Sequence, residues 1–297
     1  MKKIKHILLF TALAVFAIAT TACNFSHSTG SAKRSIALKN HTDTLIILHT
    51  NDTHSQLEPE RTGRNKGLGG VHRRAAYFDQ QIEHYGRGNV LLLDAGDYNQ
   101  GTPYFTVFKG DIEIEMFNSL GYDAVALGNH EFDNGQEELA RRLKMAKFPS
   151  VCANYNFTGT PLEGLVKPYV IVKKAGKKIG IIGLTVYLPS CVTAKAVQGL
   201  KYENPIAVAN KYAMYLKEQK KCDFVIVLSH LGYTSEGDLT SDVDVARNSE
   251  NIDIIVGGHS HTFLKEDKVY KNLSGKDVHV LQTGAHGIYV GKMEVTF

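Results

Sequence analysis

The chain has 297 residues, of which 43% are hydrophobic, 22% charged and 9% aromatic, a composition that excludes disordered, collagen-like and coiled-coil proteins. This length allows one large domain or two small ones, with ample material for a buried core. The formal net charge is only +4, and three of the positive charges, Lys2, Lys3 and Lys5, lie in a segment that we expect to be removed. We therefore expect no nucleic-acid polymer as a partner.

The N-terminal segment has the pattern of an export signal. A basic start is followed by an apolar run of 13 residues, Ile7–Ala19, which is shorter than the roughly 18 residues that span a bilayer. The sequence Thr20-Thr21-Ala22-Cys23 then resembles the lipobox of bacterial lipoproteins, where a peptidase cuts before a lipid-modified cysteine. We expect residues 1–22 to be a lipoprotein signal peptide and Cys23 to be lipidated. The protein is then exported and anchored to a membrane of the bacterial cell envelope, facing the periplasm. An ordinary secretory signal cut near Ala22 is the alternative.

Residues 23–43 are rich in Ser, Thr, His, Lys and Asn and have no hydrophobic period, which predicts a flexible tether. The following residues 44–297 are predicted to form the folded domain. Short apolar runs predict strands at Leu45–His49, Val90–Asp94, Ala124–Leu127, Val151–Ala153, Tyr169–Val172, Ile179–Leu184, Phe224–Ser229 and Ile252–Val256. Amphipathic segments predict helices at Gly70–Tyr85, Ile112–Leu120, Gln136–Met145, Pro205–Lys220 and Asp242–Asn248.

This alternation of strands and helices predicts an α/β layered fold with buried sheets. The lysine-rich run 173–178 separates two strands and predicts a solvated hairpin turn. Val278–Gln282 and Tyr289–Phe297 have the pattern of a closing hairpin.

Three cysteines remain once Cys23 is set aside. Cys152, Cys191 and Cys222 are an odd number, widely spaced and without a Cys-x-x-Cys pattern. Cys152 and Cys222 border apolar strands, so we expect buried small hydrophobic side chains. One disulfide among the three is the alternative.

Most of the unusual polar residues directly follow a predicted strand. The segments are Thr50-Asn51-Asp52-Thr53-His54, Asp94-Ala95-Gly96-Asp97, Gly128-Asn129-His130-Glu131-Phe132-Asp133, Ser229-His230 and Gly257-Gly258-His259-Ser260-His261. Sites in open α/β sheets form at the carboxyl ends of strands, so we expect these side chains to meet at one edge. Asp94 is expected to have a structural role.

Carboxylate and imidazole groups together favour Zn, Mn, Fe or Co over Ca or Mg. One carboxylate can bridge two ions about 3.5–4 Å apart. Asp52 and His54, like His259 and His261, have an i, i+2 spacing that places both side chains on one face of an extended segment. The pattern therefore predicts a centre of two divalent metal ions. Each residue alone has a structural explanation as a turn former or a buried hydrogen-bonding group, and the conjunction of five motifs favours the metal centre.

These five motifs resemble those of the calcineurin-like metallophosphoesterases, and the segments that begin at Asn51, Gly128 and Gly257 resemble the 5′-nucleotidase subfamily. The resemblance implies a four-layer α/β sandwich with two central mixed β-sheets flanked by helices. It implies that the first metal is held by Asp52, His54, Asp97 and His261, and the second by Asp97, Asn129, His230 and His259. His130 would be the catalytic imidazole, oriented by Asp133.

The expected reaction is metal-dependent hydrolysis of phosphate esters, with nucleoside 5′-monophosphates as the first substrate class. Hydrolysis of 2′,3′-cyclic nucleotides or nucleotide sugars is the alternative within the enzyme class, and a non-catalytic lipoprotein binding module is the alternative outside it. The resemblance implies that residues 44–297 are the metallophosphoesterase catalytic domain. It also implies a second domain that binds the nucleobase, and no segment here matches that domain. Three explanations are open: a broad phosphatase that acts alone, a two-chain enzyme whose substrate domain is a separate partner chain, or a different ester substrate within the same superfamily.

Overall fold

The structure, a computed structural model, describes residues 3–5, 43–235 and 237–297. The strands are β1 Lys3–Lys5, β2 Thr44–Thr50, β3 Val90–Asp94, β4 Ala124–Ala126, β5 Ser150–Val151, β6 Tyr155–Asn156, β7 Val166–Lys167, β8 Tyr169–Lys174, β9 Lys177–Thr185, β10 Lys201–Tyr202, β11 Phe224–His230, β12 Ile254–Val256, β13 Lys268–Lys271, β14 Asp277–Leu281 and β15 Gly291–Thr296. The α-helices are α1 Val71–Tyr85, α2 Pro103–Phe108, α3 Asp111–Leu120, α4 Gln136–Leu143, α5 Pro205–Glu218 and α6 Asp242–Arg247.

Two mixed sheets form the centre of the molecule. In the described residues, one sheet has the strand order β1-β15-β2-β3-β4-β5-β7 and the other β13-β14-β12-β11-β9-β8. From β2 to β7 the first sheet is parallel. β15 pairs antiparallel with β2, and β1 pairs antiparallel with β15. The second sheet is parallel from β9 to β14 and has an antiparallel strand at each edge. The carboxyl ends of the parallel strands are where the polar motifs lie.

The buried side chains alternate between the two faces of each strand. In β2, Leu45 and Ile47 pack into the core that both sheets share, whereas Ile46 and Leu48 pack with helices α1 and α3. The outer face of the second sheet packs in the same way against α5 and α6. Burial of each such side chain contributes about 1.5–3 kcal/mol. The order helix, sheet, sheet, helix gives four layers, and the predicted fold class is confirmed.

The predicted closing hairpin is wrong. β14 pairs in parallel with β12 in the six-stranded sheet, whereas β15 pairs antiparallel with β2 in the seven-stranded sheet. The chain therefore crosses from one sheet to the other between residues 282 and 290. The side chains of Met293 and Val295 pack into the shared core, so the period of two indicated a strand but not its partner.

The hairpin turn in the lysine-rich run is confirmed, because β8 and β9 pair antiparallel on either side of Ala175 and Gly176. The run is less solvated than predicted. Lys174 is buried and its Nζ lies 3.0 Å from Asp123 Oδ1. This ion pair explains why a lysine is tolerated there.

Cys152 and Cys222 are buried and Cys191 is half-buried, and all three are free thiols. The expectation of buried small side chains is therefore confirmed for the first two. Of the predicted signal peptide, only β1 is described; the remainder, with Cys23 and the tether up to residue 42, lies outside the described residues. Among the described helices, none is both long and apolar enough to cross a membrane.

Candidate metal centre

The polar motifs meet at one edge of the molecule but come from both sheets. Asp52 and His54 follow β2, Asp97 follows β3, Asn129 and His130 follow β4, His230 ends β11, and His259 and His261 follow β12. The strands β2 to β4 belong to one sheet and β11 and β12 to the other. The site therefore lies across the line where the two sheets meet.

Asp52, His54 and His261 form a first group, whose potential ligand atoms all lie within 4.8 Å of one another. The Nε2 atoms of His54 and His261 are 2.9 Å apart, and His261 Nε2 is 3.5 Å from Asp52 Oδ1. Asp52 is fully buried, and its carboxylate also accepts the backbone N–H of His259 at 3.0 Å. The group has the mixture of one carboxylate and two imidazoles that suits a transition-metal ion.

Asp97, His230 and His259 form a second group of the same kind. His230 Nε2 lies 3.0 Å from Asp97 Oδ2. Asp97 also groups with His54, so its carboxylate stands between the two sets. Beside them, Asn129 Oδ1 is buried and has no hydrogen-bond partner in the described part of the chain. An unsatisfied buried acceptor costs about 1–3 kcal/mol, so a metal ion bound by this oxygen would remove that cost.

Backbone carbonyls orient two of the imidazoles. His230 Nδ1 lies 2.7 Å from Ala95 O, and His54 Nδ1 lies 3.3 Å from Asn99 O. Since a carbonyl only accepts, each Nδ1 carries a proton, and Nε2 is the nitrogen that faces the site and would bind an ion. Such support fixes both the tautomer and the ring orientation of a metal-binding histidine.

The ligand loops have strained backbone. Asp52, His54, Asp97, His259 and His261 all have positive φ, between 47° and 73°. The prediction that the i, i+2 pairs lie on extended segments is therefore wrong, although the paired side chains do converge. Left-handed turns let the loops fold back over the strand ends. Non-glycine residues with left-handed backbone conformation cluster at functional sites.

A buried carboxylate holds the loop of Asp97 in place, which the sequence reasoning missed. Glu131 accepts hydrogen bonds from the backbone N–H groups of Asp97, Tyr98, Asn99 and Gly128, at 2.6–3.2 Å. A Cβ at Gly128 would lie 2.2 Å from Asp97 Oδ1, so only glycine allows this approach. The available signal was an acidic residue directly after His130 in a buried turn.

Asp94 has the structural role that was predicted. It accepts from Thr50 Oγ1 at 2.6 Å and from the backbone N–H of Gly96 at 3.0 Å, and so closes the turn that leads to Asp97. Asn51 has a similar structural role in the loop that carries Asp52. Its amide donates to Asp52 Oδ2 and to Gly284 O, both at 2.6 Å.

The electrostatics of the site favour bound cations. Burial raises the pKa of the Asp52 carboxyl to about 7, and repulsion from Asp97 adds to this shift. Burial lowers the pKa values of His54 and His259 to about 4, so both rings are neutral and free to donate lone pairs. Burial opposes the charge on His230, but attraction and hydrogen bonding to Asp97 outweigh it and raise its pKa to about 10. Metal ions would satisfy the same demand for positive charge, and the residues present therefore fit a metal centre.

His130 and Asp133 form a pair at the rim. His130 Nδ1 lies 2.8 Å from Asp133 Oδ2, and the His130 backbone N–H donates to Asp97 Oδ1 at 2.9 Å. Burial opposes protonation of His130, but the hydrogen bond to Asp133 and the charge of Asp97 outweigh it and raise the pKa. The imidazole is therefore both oriented and biased toward its protonated form.

An open cavity of about 360 Å³ lies over these groups. It is lined by His54, Asp97, Gln100, Gly101, Asn129, His130, His259, His261 and His286. Gln100 and His286 were not predicted as site residues. The signal for His286 was weak, a single histidine in a glycine-rich loop.

Comparison with known proteins agrees with this geometry. Residues 45–263 match the model of the calcineurin-like phosphoesterase family. The chain is 36% identical over 277 residues to a snake venom 5′-nucleotidase of Gloydius brevicauda, a match that covers 85% of this chain and 45% of the venom protein.

Two solved structures are also similar. A 5′-nucleotidase precursor from Thermus thermophilus has a TM-score of 0.77 and 40% identity, over 86% of this chain and 51% of that one. The NAD nucleotidase of Haemophilus influenzae has a TM-score of 0.74 and 32% identity, over 86% and 47%. The chain thus spans about half the length of the relatives it matches. Because the family model matches most of the described residues, the chain belongs to the calcineurin-like phosphoesterase family.

Proposed function

We propose that residues 44–297 form a catalytic domain that hydrolyses phosphate esters with two divalent metal ions, and that nucleoside 5′-monophosphates are its substrates. The observation that carries the proposal is the Asp97 carboxylate, which stands between two sets of imidazole and carboxylate ligands. Such an arrangement suits a pair of ions that share one bridging carboxylate. The 5′-nucleotidase relatives support the substrate class.

The two groups, with Asn129 beside them, support a division of the ligands. Asp52, His54, Asp97 and His261 would hold one ion, and Asp97, Asn129, His230 and His259 the other. Zn, Mn, Fe or Co fits this donor set. When bound, the ions lower the pKa of water and neutralise the charge on the phosphoryl oxygens.

The chain's own residues supply positioning and a proton. Asn129 and His130 line the cavity beside Asp97, so a phosphoryl group at the ligand cluster would lie against them. His130 would donate the proton from Nε2 to the departing alkoxide oxygen, while Asp133 holds Nδ1. Because the leaving oxygen is protonated as it departs, no strongly basic alkoxide is released.

The direct test is metal analysis with a phosphate-release assay on purified residues 24–297. We expect two equivalents of metal per chain, and release of phosphate from AMP that chelation abolishes and metal restores. A chain with two bound metals that releases no phosphate from any ester would instead support a binding module. All seven proposed ligands are present and converge, which favours the enzyme.

The substrate panel should also contain a 2′,3′-cyclic nucleotide, a nucleotide sugar and NAD. The similarity to an NAD nucleotidase makes cleavage of a nucleotide diphosphate linkage the second candidate. Faster turnover of NAD or a nucleotide sugar than of AMP would favour it.

We also propose that recognition of the nucleobase comes from outside this cavity. Among the described residues that line it, none is Phe, Tyr or Trp, and base stacking on an aromatic ring is worth roughly 1–3 kcal/mol. A separate chain that brings aromatic rings would lower the KM for AMP more than that for an aryl phosphate. A low-micromolar KM with strong base preference in this chain alone would contradict this proposal.

We propose further that the protein is an exported lipoprotein attached through Cys23. The venom enzyme and the protein named as a precursor support export. Two or three acyl chains anchor a protein stably, so the wild-type protein should sediment with membranes and the Cys23→Ala variant should not. Recovery of both in the soluble periplasmic fraction would favour the ordinary secretory signal.

A further inference from the structure

A second histidine–carboxylate pair stands at the rim of the cavity. His286 Nδ1 lies 3.0 Å from Glu60 Oε1, an arrangement that repeats the pairing of His130 with Asp133. The His286 ring lies with its centroid 6.0 Å from that of His54 and 6.4 Å from that of His261. It therefore borders the first ligand group, and its role is not explained by the metal centre.

The surrounding backbone fixes both members of the pair. The backbone N–H of His286 donates to Asp52 O at 2.7 Å, and His286 has a φ of +63°. Glu60 lies on a loop closed by hydrogen bonds with Leu68 O and the N–H of Gly67, at 2.9 and 2.7 Å. A strained residue that the surrounding structure holds in place is typical of a functional site.

The position of His286 indicates which part of a substrate it meets. Its side chain is 48% exposed, whereas the Asp97 side chain is 3% exposed. A phosphate ester whose phosphoryl group lies among the buried ligands must extend its organic part outward through the cavity mouth. His286 lies at that mouth and lines the cavity.

The hydrogen-bond roles in the pair define the ligand chemistry. The Glu60 carboxylate can only accept, so Nδ1 of His286 carries the proton that the pair shares. In the neutral form of the ring the other nitrogen, Nε2, is an acceptor. Its partner must be a donor, and the donors that the organic part of a nucleotide offers near its phosphate are the ribose hydroxyls.

We propose that His286, oriented by Glu60, accepts a hydrogen bond from a ribose hydroxyl of the substrate and so selects hydroxyl-bearing leaving groups. This inference rests on the proposed function, because it takes the phosphoryl group to lie among the metal ligands. His286 is a specificity-determining residue, and Glu60 is its positioning residue.

The test compares three substrates on the metal-loaded protein: AMP, 2′,3′-dideoxyadenosine 5′-monophosphate and p-nitrophenyl phosphate. His286→Phe keeps an aromatic ring and removes the acceptor nitrogen. In this variant we expect the KM for AMP to rise about five-fold, which is the loss of affinity that corresponds to one neutral hydrogen bond. The kcat for AMP and both constants for the other two substrates should stay within two-fold. Glu60→Ala should raise the KM for AMP in the same selective way. His72→Phe, an exposed histidine on α1 outside the cavity, is the matched control.

A rise in KM that is equal for all three substrates, or a loss of bound metal in His286→Phe, would overturn the inference and assign His286 to the metal centre. No change with any substrate would also overturn it. Failure of the proposed function is separate, because the wild-type protein would then release no phosphate from AMP. In that case calorimetric binding of AMP and its dideoxy analogue to the wild type and to His286→Phe decides the inference.

Discussion

At the scale of single residues, the Asp97 carboxylate is the group on which the proposed chemistry depends most. It lies 3.0 Å from His230 Nε2 and stands between both ligand groups. We expect Asp97→Asn to lose at least one metal ion and most activity, because an amide cannot neutralise two ions. Metal content and phosphate release measured together check this. A variant that keeps two tightly bound ions and full turnover would remove Asp97 from the bridging role.

A different outcome is expected for His130. Since His130 is placed as a proton donor, His130→Ala should keep its metal while kcat for AMP falls roughly 10²- to 10⁴-fold. With p-nitrophenyl phosphate the loss should be smaller, because its leaving group needs less protonation. Equal losses on both substrates would indicate that His130 stabilises the phosphoryl oxygens instead.

The pair of His130 and Asp133 predicts a pH dependence. The pKa of His130 is raised, because the hydrogen bond and charge of its acidic neighbours outweigh burial. A proton donor acts while protonated, so kcat should be retained below this pKa and fall as pH rises through it. Asp133→Asn removes the hydrogen-bonded carboxylate and should move the falling limb to lower pH. Superimposable profiles of kcat against pH for the wild type and the variant would contradict this.

At the scale of the elements, the close approach of the two sheets can be tested at Gly183 in β9. A Cβ there would lie 2.3 Å from the backbone C and O of Val151, in β5 of the other sheet. We expect Gly183→Ala to lower the free energy of unfolding by about 1–3 kcal/mol, as other overpacked cores do. Gly88→Ala is the control, because a Cβ at Gly88 meets nothing within 4 Å.

Urea unfolding of the two variants gives the comparison. Gly88→Ala should unfold within about 0.5 kcal/mol of the wild type, as surface substitutions usually do. If the free energy of unfolding of Gly183→Ala equals that of Gly88→Ala, the sheets have room to move apart. The shared core is then less tightly packed than the distances indicate.

At the scale of the whole molecule, the metal centre should hold the two sheets together. Asp52, Asp97 and Asn129 come from the seven-stranded sheet, and His230 and His259 from the six-stranded sheet. Ions that bind only the folded chain stabilise it by about 2.7 kcal/mol when present at 100 times their Kd. Chelation should therefore lower the Tm of the wild-type protein by roughly 5 °C or more.

The same chelation should have a smaller effect on Asp97→Asn, because that variant is expected to have lost at least one of the two metal ions already. Calorimetric scans of both proteins, with and without chelator, make the comparison. A wild-type Tm that does not change on chelation would contradict the idea that metal ions join the sheets.

Much of this architecture could be predicted from the sequence alone, because it follows from local patterns. Apolar runs with β-branched residues gave the main strands, and for α1 the amphipathic pattern placed the helix within one residue of its bounds, Val71–Tyr85. Polar residues directly after those strands predicted a shared edge, since parallel strands present their carboxyl ends together. Periodicity and position in the chain carry this information, and neither depends on distant partners.

Only the tertiary structure decided how the strands are paired and how the loops are shaped. β14 and β15 have ordinary strand patterns, yet they join different sheets, because pairing depends on which buried faces meet. The positive φ values at Asp52 and Asp97 arise from loops that fold back over the strand ends. Asp tolerates this conformation better than most residues, but that propensity does not distinguish these two from the other aspartates of the chain. Glu131 contacts Asp97, Tyr98 and Asn99, 32 to 34 residues away in sequence, and His286 contacts Glu60, 226 residues away. Contacts over such separations are created by packing, and the sequence lists the residues without stating which of them will meet.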